Sequence, residues 1–280
     1  MDDSWIAILG GGGMLGSDLA SVCCEHGLDP IIFDVPEFDI TNADHVREVV
    51  SRAGMVVNCA AYTNVDGAES EAELAYQVNA EAVGQLGVIT RDTGKWLLHI
   101  STDFVFDGKS DQPYVETDPA QPINTYGKSK LAGERFLAES GCRYCIVRVE
   151  WTYGVAGNNF VIKLLQRARA GNALKVVDDQ VGSPTSTLEV SKMICELLKS
   201  QPEGLFHFAA AGYVSRYDMA QFILDKLSID AKVAPCKTSD FPSPATRPLN
   251  SRFDCSKISR LLSEQIEHWQ KPLERFLGQL

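Results

Sequence analysis

Short apolar runs alternate with longer stretches of mixed polarity along the first half of the chain. The runs are continuous rather than alternating, which is typical of parallel strands that are covered on both faces. Strands are predicted at residues 5–9, 30–34, 55–59, 96–100 and 144–149. Helices are predicted between them at residues 14–26, 43–52, 69–93 and 125–139, with Thr41 or Asn42 capping the second. This order predicts an α/β fold with a Rossmann-like, doubly wound parallel sheet.

The rest of the chain has a more mixed pattern. Strands are predicted at residues 174–177 and 204–208, and helices at residues 159–170, 188–198 and 217–227. Residues 241–250 hold three prolines and predict a loop. We expect the sheet domain to span residues 1–150, with later segments returning to it, and a smaller C-terminal α/β cap to span residues 151–280.

A run of glycines follows the first predicted strand and opens the first predicted helix. Residues 10–16 read GGGGMLG, which fits G-x-G-x-x-G and also G-x-x-G-x-x-G. Glycine permits a tight turn and the close approach of a pyrophosphate, which then rests on the positive end of the helix. The second strand ends at Asp34, about 20 residues on, where a carboxylate accepts the ribose 2′-hydroxyl of NAD. Because Glu37 is also acidic and no Arg or Lys follows, NADH is expected to be favoured over NADPH.

Two polar segments follow later strands, where an open α/β sheet places its active site. Thr102 follows the fourth strand, while Tyr126 and Lys130 lie four residues apart on one face of a helix. The ammonium is expected to lower the pKa of the phenol from about 10, and it can also bridge the nicotinamide ribose hydroxyls. Tyr126 would then protonate a ketone oxygen to which Thr102 donates a second hydrogen bond. Either motif alone occurs by chance, but their combination with the glycine turn predicts a reductase.

Composition and charge narrow the class of protein. The chain has 280 residues, 45% of them hydrophobic, and a net charge of −11, which argues against nucleic-acid binding. No apolar stretch approaches the roughly 18 residues that span a membrane, and the acidic N-terminal segment is the reverse of an export signal. The eight cysteines lack zinc-ligand spacing, and the pair Cys142 and Cys145 adjoins a predicted buried strand. We expect reduced thiols, no metal ligands and a cytoplasmic location.

The chain resembles the dTDP-4-dehydrorhamnose reductase family of the extended short-chain dehydrogenase/reductase superfamily nearly end to end. The shared segments include residues 58–71 (NCAAYTNVDGAESE), 101–108 (STDFVFDG), 126–134 (YGKSKLAGE), 176–185 (VVDDQVGSPT) and 247–257 (RPLNSRFDCSK). The last two are typical of this family rather than of the whole superfamily. The resemblance implies reduction of the 4-keto group of dTDP-4-dehydro-L-rhamnose to dTDP-L-rhamnose by NADH or NADPH, in a dinucleotide-binding domain joined to a substrate-binding domain.

The resemblance also implies roles for individual residues. Thr102, Tyr126 and Lys130 correspond to the catalytic triad. The implied cofactor residues are Gly10, Gly13, Met14, Leu15, Gly16, Asp34, Asp39, Ile40, Ala60, Ala61, Tyr62, Tyr126 and Lys130. The implied residues for the sugar nucleotide are Val65, Thr102, Phe104, Tyr126, Trp151, Asn159 and Arg247. An indole suits a sugar ring and an arginine suits a diphosphate.

Some features leave alternatives open. Some family members are homodimers with a Mg²⁺ ion at the interface, and Asp18 and Glu189 lie near the corresponding positions. Two exposed carboxylates without a metal are the simpler interpretation of these residues. We expect a monomer or a homodimer. Met14, Phe104 and Glu150 depart from common family residues, which leaves the sugar open. A nucleotide-sugar epimerase or dehydratase of the short-chain type is one alternative. Another is a non-catalytic NAD(P)-binding subunit similar to the regulatory subunit of methionine adenosyltransferase.

Overall fold

A six-stranded parallel sheet is the centre of the computed structural model, which describes residues 5–280. The strands of the chain are β1 (Ile6–Leu9), β2 (Pro30–Phe33), β3 (Met55–Asn58), β4 (Trp96–Thr102), β5 (Arg143–Val149), β6 (Thr152–Tyr153), β7 (Leu174–Val177), β8 (Val181–Gly182), β9 (Thr185–Ser186), β10 (Gly204–Phe208), β11 (Val214–Ser215) and β12 (Val233–Cys236). The central sheet has the order β10-β5-β4-β3-β1-β2. Since the chain passes from β1 to β2 on one side and to β3 on the other, a crevice opens at the carboxyl ends of β1 and β3.

Helices cover both faces of this sheet, as the doubly wound prediction requires. The helices of the described residues are α1 (Met14–Glu25), α2 (Ala43–Arg52), α3 (Ala72–Tyr76), α4 (Ala82–Thr93), α5 (Thr125–Glu139), α6 (Phe160–Arg169), α7 (Thr187–Ser200), α8 (Arg216–Lys226), α9 (Ser256–Ser259) and α10 (Gln270–Leu277). On one face, Leu19 of α1 and Ile194 of α7 share a buried cluster with Ile8. On the other face, α2 and α4 bury Val46 and Leu86 in a second cluster. The predicted fold class is confirmed.

The predicted helix over residues 69–93 is wrong as one continuous element. A 3₁₀ turn at Gly67–Glu69 precedes α3, and a π-helical turn at Gln77–Glu81 joins α3 to α4. Asn79, in the wide turn, accepts a hydrogen bond from the Tyr62 amide at 2.8 Å and donates to the Ser129 hydroxyl at 3.0 Å. A Cβ at Gly133 of α5 would overlap the Asn79 carbonyl oxygen. The wider turn thus places the buried polar side chain of Asn79 against α5. The spacing of hydrophobic residues could not predict such a turn.

Two smaller expectations are settled by local geometry. Asn42, rather than Thr41, caps α2, because its side-chain oxygen accepts from the Asp44 amide at 2.9 Å. The expectation that β2 is covered on both faces is wrong, since Ile31 and Ile32 are 41% and 53% exposed. The strand lies at the edge of the sheet, where one side has no neighbouring strand.

The C-terminal residues divide their packing between two places. Strand β10 pairs with β5 in the central sheet, and α7 packs beside α1. A separate buried cluster joins α6, α8 and α10 through Leu164, Ile223 and Leu273. The division into domains at residue 150 stays a prediction. None of the helices between residues 5 and 280 combines the length and apolar character that crossing a bilayer requires.

Candidate active site

A cleft of about 650 Å³ lies at the carboxyl ends of the central strands. Most of the residues proposed from the sequence line it together. They are Gly10, Gly13, Met14, Leu15, Gly16, Asp34, Asp39, Ile40, Ala60, Ala61, Val65, Thr102, Phe104, Tyr126, Lys130, Trp151 and Asn159. Residues from the turn after β1, from β4, from α5 and from the N-terminus of α6 therefore meet in one space.

Two proposed residues are not among those that line the cleft. The Tyr62 hydroxyl donates a hydrogen bond to the Glu71 carboxylate, which raises the pKa of Tyr62. Arg247 forms a paired contact with the Asp66 carboxylate, at 3.1 Å and 2.8 Å from its two terminal nitrogens. This pairing lowers the pKa of Asp66 and holds the guanidinium outside the lining of the cleft.

The glycine turn is shaped by close backbone contacts. Gly10 has a φ of 75°, and a Cβ there would lie 2.6 Å from the Ala60 backbone nitrogen. Gly16 has no room for a Cβ because the Gly10 carbonyl oxygen occupies that place. Gly13 caps α1 without any side-chain hydrogen bond, and the first turn of α1 holds no acidic residue. Its first amides therefore fit the phosphates of a dinucleotide.

Asp34 is held at the edge of this turn by the backbone. Its carboxylate accepts hydrogen bonds from the Gly12 amide at 2.7 Å and the Val35 amide at 2.8 Å. The side chain lines the cleft with Asp39 and Ile40. A fixed carboxylate after β2 suits a ribose hydroxyl, and the cofactor role of Asp34 stays a prediction.

Thr102 and Tyr126 meet on the floor of the cleft. Burial raises the pKa of Tyr126 to about 12, and the nearby Thr102 hydroxyl opposes this rise. The negative charge of Asp103, whose carboxylate accepts from the Thr102 hydroxyl at 3.0 Å, also raises this pKa. The Phe104 ring packs edge-on against the Tyr126 ring, with centroids 5.6 Å apart. The expectation that the pKa of Tyr126 falls is therefore wrong for this structure.

The direction of the Lys130 side chain explains why the ammonium does not lower the pKa of Tyr126. Its ammonium donates to the Ile100 carbonyl oxygen at 2.7 Å and lies 3.3 Å from His99 Nε2. Burial lowers the pKa of Lys130 to about 8, against the opposing charge of Glu134. The amine is thus bonded to the backbone of β4, and its charge is not among the groups that shift the pKa of Tyr126.

Asn58 and His99 form a buried chain behind Lys130 that the sequence reasoning missed. The Asn58 side-chain oxygen accepts from the Ala60 amide at 3.0 Å, which turns its amide nitrogen toward His99 Nδ1, also at 3.0 Å. Burial and the Lys130 charge keep the pKa of His99 well below its usual range. A neutral His99 whose Nδ1 accepts must carry its proton on Nε2, facing Lys130. This contact disfavours the ammonium relative to the neutral amine.

Helix α5 is fixed in place at both ends of the catalytic segment. The Asn124 side chain caps it by accepting from the Gly127 amide at 2.7 Å, and a Cβ at Gly127 would overlap the Phe104 carbonyl oxygen. One turn after Lys130, the buried Glu134 carboxylate pairs with Arg148 of β5 at 2.8 Å and 2.6 Å. These contacts set the position of Tyr126 and Lys130 relative to β4.

Arg216, at the first position of α8, is a cleft residue that the sequence reasoning missed. Its guanidinium carbon lies 3.5 Å from the centre of a Trp151 ring and 4.9 Å from the centre of the Phe160 ring. Burial lowers the pKa of Arg216 to about 9, against the opposing charges of Asp103 and Glu150. One face of the Trp151 indole therefore carries a cation. A sequence signal existed: an arginine in the first turn of a helix opposes the helix dipole.

The acidic residues proposed for magnesium are already engaged. Asp18 accepts a hydrogen bond from the Thr187 hydroxyl, and Glu189 pairs with Lys192 at 2.9 Å and Arg275 at 3.1 Å. Across residues 5–280 no three His, Cys, Asp or Glu side chains are grouped as metal ligands would be. Within a single chain these side chains do not fit a divalent cation.

Comparisons with known proteins agree with this arrangement. The family described as RmlD substrate binding domain matches residues 4–280. A dTDP-4-dehydrorhamnose reductase from Aggregatibacter actinomycetemcomitans is 36% identical, over 96% of this chain and 97% of that protein. The structure of the Bacillus anthracis dTDP-4-dehydrorhamnose reductase in complex with NADP has a TM-score of 0.95 at 36% identity, covering 99% of both chains. That of the Clostridium acetobutylicum reductase has a TM-score of 0.93 at 36% identity, covering 98% of both.

Proposed function

The chain belongs to the dTDP-4-dehydrorhamnose reductase family, and from this premise we propose that it transfers hydride from NAD(P)H to the 4-keto group of a dTDP-linked deoxysugar. The substrate we propose is dTDP-4-dehydro-L-rhamnose, which would become dTDP-L-rhamnose. The observation that carries the proposal is that Thr102, Tyr126 and Lys130 line the same cleft as the glycine turn.

The side chains divide the work of the reduction. NAD(P)H, when bound, supplies the hydride. As negative charge develops on the ketone oxygen, the Tyr126 phenol donates its proton to that oxygen, and Lys130 stabilises the tyrosinate that remains. Thr102 has a single hydroxyl proton, which must turn from Asp103 to the substrate oxygen to stabilise it. Burial keeps the Tyr126 phenol protonated before the reaction, since its pKa is about 12.

We also propose where the cofactor and the sugar nucleotide bind, in which compartment the enzyme works and whether it forms a dimer. The cofactor would lie along the glycine turn, Asp34 and Ala60, and the sugar nucleotide along Val65 and Asn159, with the boundary of the two domains at residue 150. We place the enzyme in the cytoplasm as a monomer or homodimer. The eight cysteines, all of them free thiols, support a reducing compartment.

Oxidation of NADH in the presence of freshly generated dTDP-4-dehydro-L-rhamnose tests the proposal. We expect one NADH to be consumed for each ketone reduced, and the cofactor to leave the protein on dilution. An epimerase would instead retain NAD and show no net consumption. A regulatory subunit would show no turnover with any dTDP-linked ketosugar, and either result would contradict the proposal.

We expect NADH to be preferred over NADPH by about tenfold in kcat/KM, because a like-charge contact near 4 Å costs about 1–4 kcal/mol. The charge in question is the Asp34 carboxylate, which the Gly12 and Val35 amides hold in the lining of the cleft. The relative from Bacillus anthracis was crystallised with NADP, so the two cofactors must be compared directly on this protein. Steady-state kinetics with each cofactor at fixed ketosugar measures the ratio.

A pair of variants assigns the preference to Asp34. Asp34→Ser keeps an acceptor for the Gly12 amide but removes the charge, so the ratio should move toward one. Asp44→Ser makes the same change at an exposed residue of α2 and should leave the ratio as in the wild type. A wild-type enzyme that prefers NADPH would contradict the proposed role of Asp34.

A further inference from the structure

Arg216 is a cation in the cleft with no polar partner for its side chain. Among the described residues, its guanidinium takes part in no hydrogen bond or ion pair, and its close contacts are the Trp151 and Phe160 rings. A guanidinium has five N–H donors, and leaving them unpaired in a partly buried site is costly. We propose that Arg216 binds the diphosphate of the sugar nucleotide, an inference that rests on the proposed function.

The acidic neighbours of Arg216 are not its partners. The Asp103 carboxylate accepts hydrogen bonds from Thr102 at 3.0 Å and Ser251 at 2.5 Å. The Glu150 carboxylate accepts from the Ser183 amide at 2.9 Å and the Phe253 amide at 3.2 Å. Neither carboxylate forms a hydrogen bond or an ion pair with the guanidinium, among the described residues. The guanidinium donors therefore remain available to an anion in the cleft.

The position of Arg216 is one that folding alone does not favour. It is the first residue of α8, directly after the cap Ser215, where a positive charge opposes the partial positive charge of the helix end. The same helix end attracts an anion, so a bound phosphate would receive both the guanidinium and the field of α8. The guanidinium is planar in itself, which suits paired contacts to phosphate oxygens, and its contact with the Trp151 ring restrains its position.

Arg247 offers a direct contrast within the same chain. The family resemblance suggests Arg247 for the sugar nucleotide, but its guanidinium is paired with Asp66 and also donates to the Ser243 hydroxyl at 2.7 Å. Binding a diphosphate there would require those contacts to break. Arg216 needs no such exchange, and it lines the cleft that contains Tyr126.

Binding of dTDP, dTMP and thymidine to the protein saturated with NAD⁺ tests the inference by calorimetry. In Arg216→Met, we expect the Kd of dTDP to rise by about tenfold to a hundredfold, since a charge-assisted pair of hydrogen bonds is lost. The Kd of dTMP should rise less, and that of thymidine should stay as in the wild type. Arg275→Met, the same change on the far helix α10, should leave the Kd of all three ligands unchanged. Arg247→Met should weaken dTDP less than Arg216→Met does.

Each outcome decides the inference. Unchanged dTDP binding by a folded Arg216→Met protein overturns it while leaving the proposed function intact, and so does an equal loss for all three ligands. A wild-type protein that does not bind dTDP overturns the proposed nucleotide and the inference together. Should Arg216→Met fail to fold, Arg216→Lys decides: a several-fold loss for dTDP with none for thymidine supports the inference, and no loss contradicts it.

Discussion

Replacement of Tyr126 by phenylalanine is expected to lower kcat by at least ~10²-fold, because it deletes a positioned proton donor. The phenyl ring that takes the place of the phenol can keep the edge-on packing against Phe104, so the fold and the cofactor site should survive. We therefore expect the Kd of NADH to rise by about tenfold at most, the size of one lost hydrogen bond, which is far less than the loss in kcat. Stopped-flow or steady-state oxidation of NADH with dTDP-4-dehydro-L-rhamnose measures the loss.

A second tyrosine supplies the matched control. The Tyr213 hydroxyl donates to the Phe253 carbonyl oxygen at 2.9 Å and lies outside the residues that line the cleft. Tyr213→Phe removes an equivalent hydroxyl, so it should reduce stability slightly and leave kcat near that of the wild type. Wild-type turnover by Tyr126→Phe would show that another group delivers the proton.

Lys130→Met is expected to lose activity and gain stability at the same time. The loss should be about 10²–10³-fold in kcat/KM, the size found when a positioned electrostatic group is removed. The gain arises because the Lys130 side chain is only 2% exposed and burial lowers its pKa from 10.5 to about 8. A shift of that size corresponds to a cost of about 3 kcal/mol for the charged form at pH 7.

The stability gain should depend on pH with a defined sign. Below pH 8, Lys130 is protonated in both the folded and unfolded protein, so the whole cost is present. As the pH rises from about 8 toward 10.5, the folded protein releases the proton first and the cost disappears. The groups around the amine are Cys59 after β3, His99 on β4 and Glu134 on α5, and among these the charge of Glu134 opposes the shift.

Chemical denaturation of wild type and Lys130→Met across pH 6–9 measures this difference in the free energy of unfolding. The variant should be the more stable protein at pH 7, and its advantage should shrink above pH 8. Lys128→Met, on the same helix but exposed, controls for the change in side chain. A Lys130→Met protein that is less stable at pH 7 would mean that the bond to the Ile100 carbonyl outweighs the burial of charge.

The sequence predicted the parts of this protein that depend on local pattern. Periodicity located the strands of the sheet, and the glycine spacing located the turn that meets Ala60. Motif order then placed Thr102, Tyr126 and Lys130 in one cleft, because parallel strands end at a common edge.

The misses share a physical cause, which is that they depend on contacts between distant segments. The π-helical turn follows from the fit of Asn79 against Gly133, 54 positions along the chain, which no local propensity encodes. The raised pKa of Tyr126 follows from burial and from the direction in which Lys130 points. Arg216 lies close to Trp151 only after the C-terminal segments have folded back over the sheet.

Strand β10 carries a consequence for how the protein is made. It is contributed by residues 204–208, yet it pairs with β5 from Cys145 to Val149. Until the ribosome has synthesised β10, the nascent β5 exposes a row of free N–H and C=O groups, which can pair with another chain. The catalytic half of the protein therefore completes its sheet late in translation, and a fragment truncated at residue 150 would leave that edge open to aggregation.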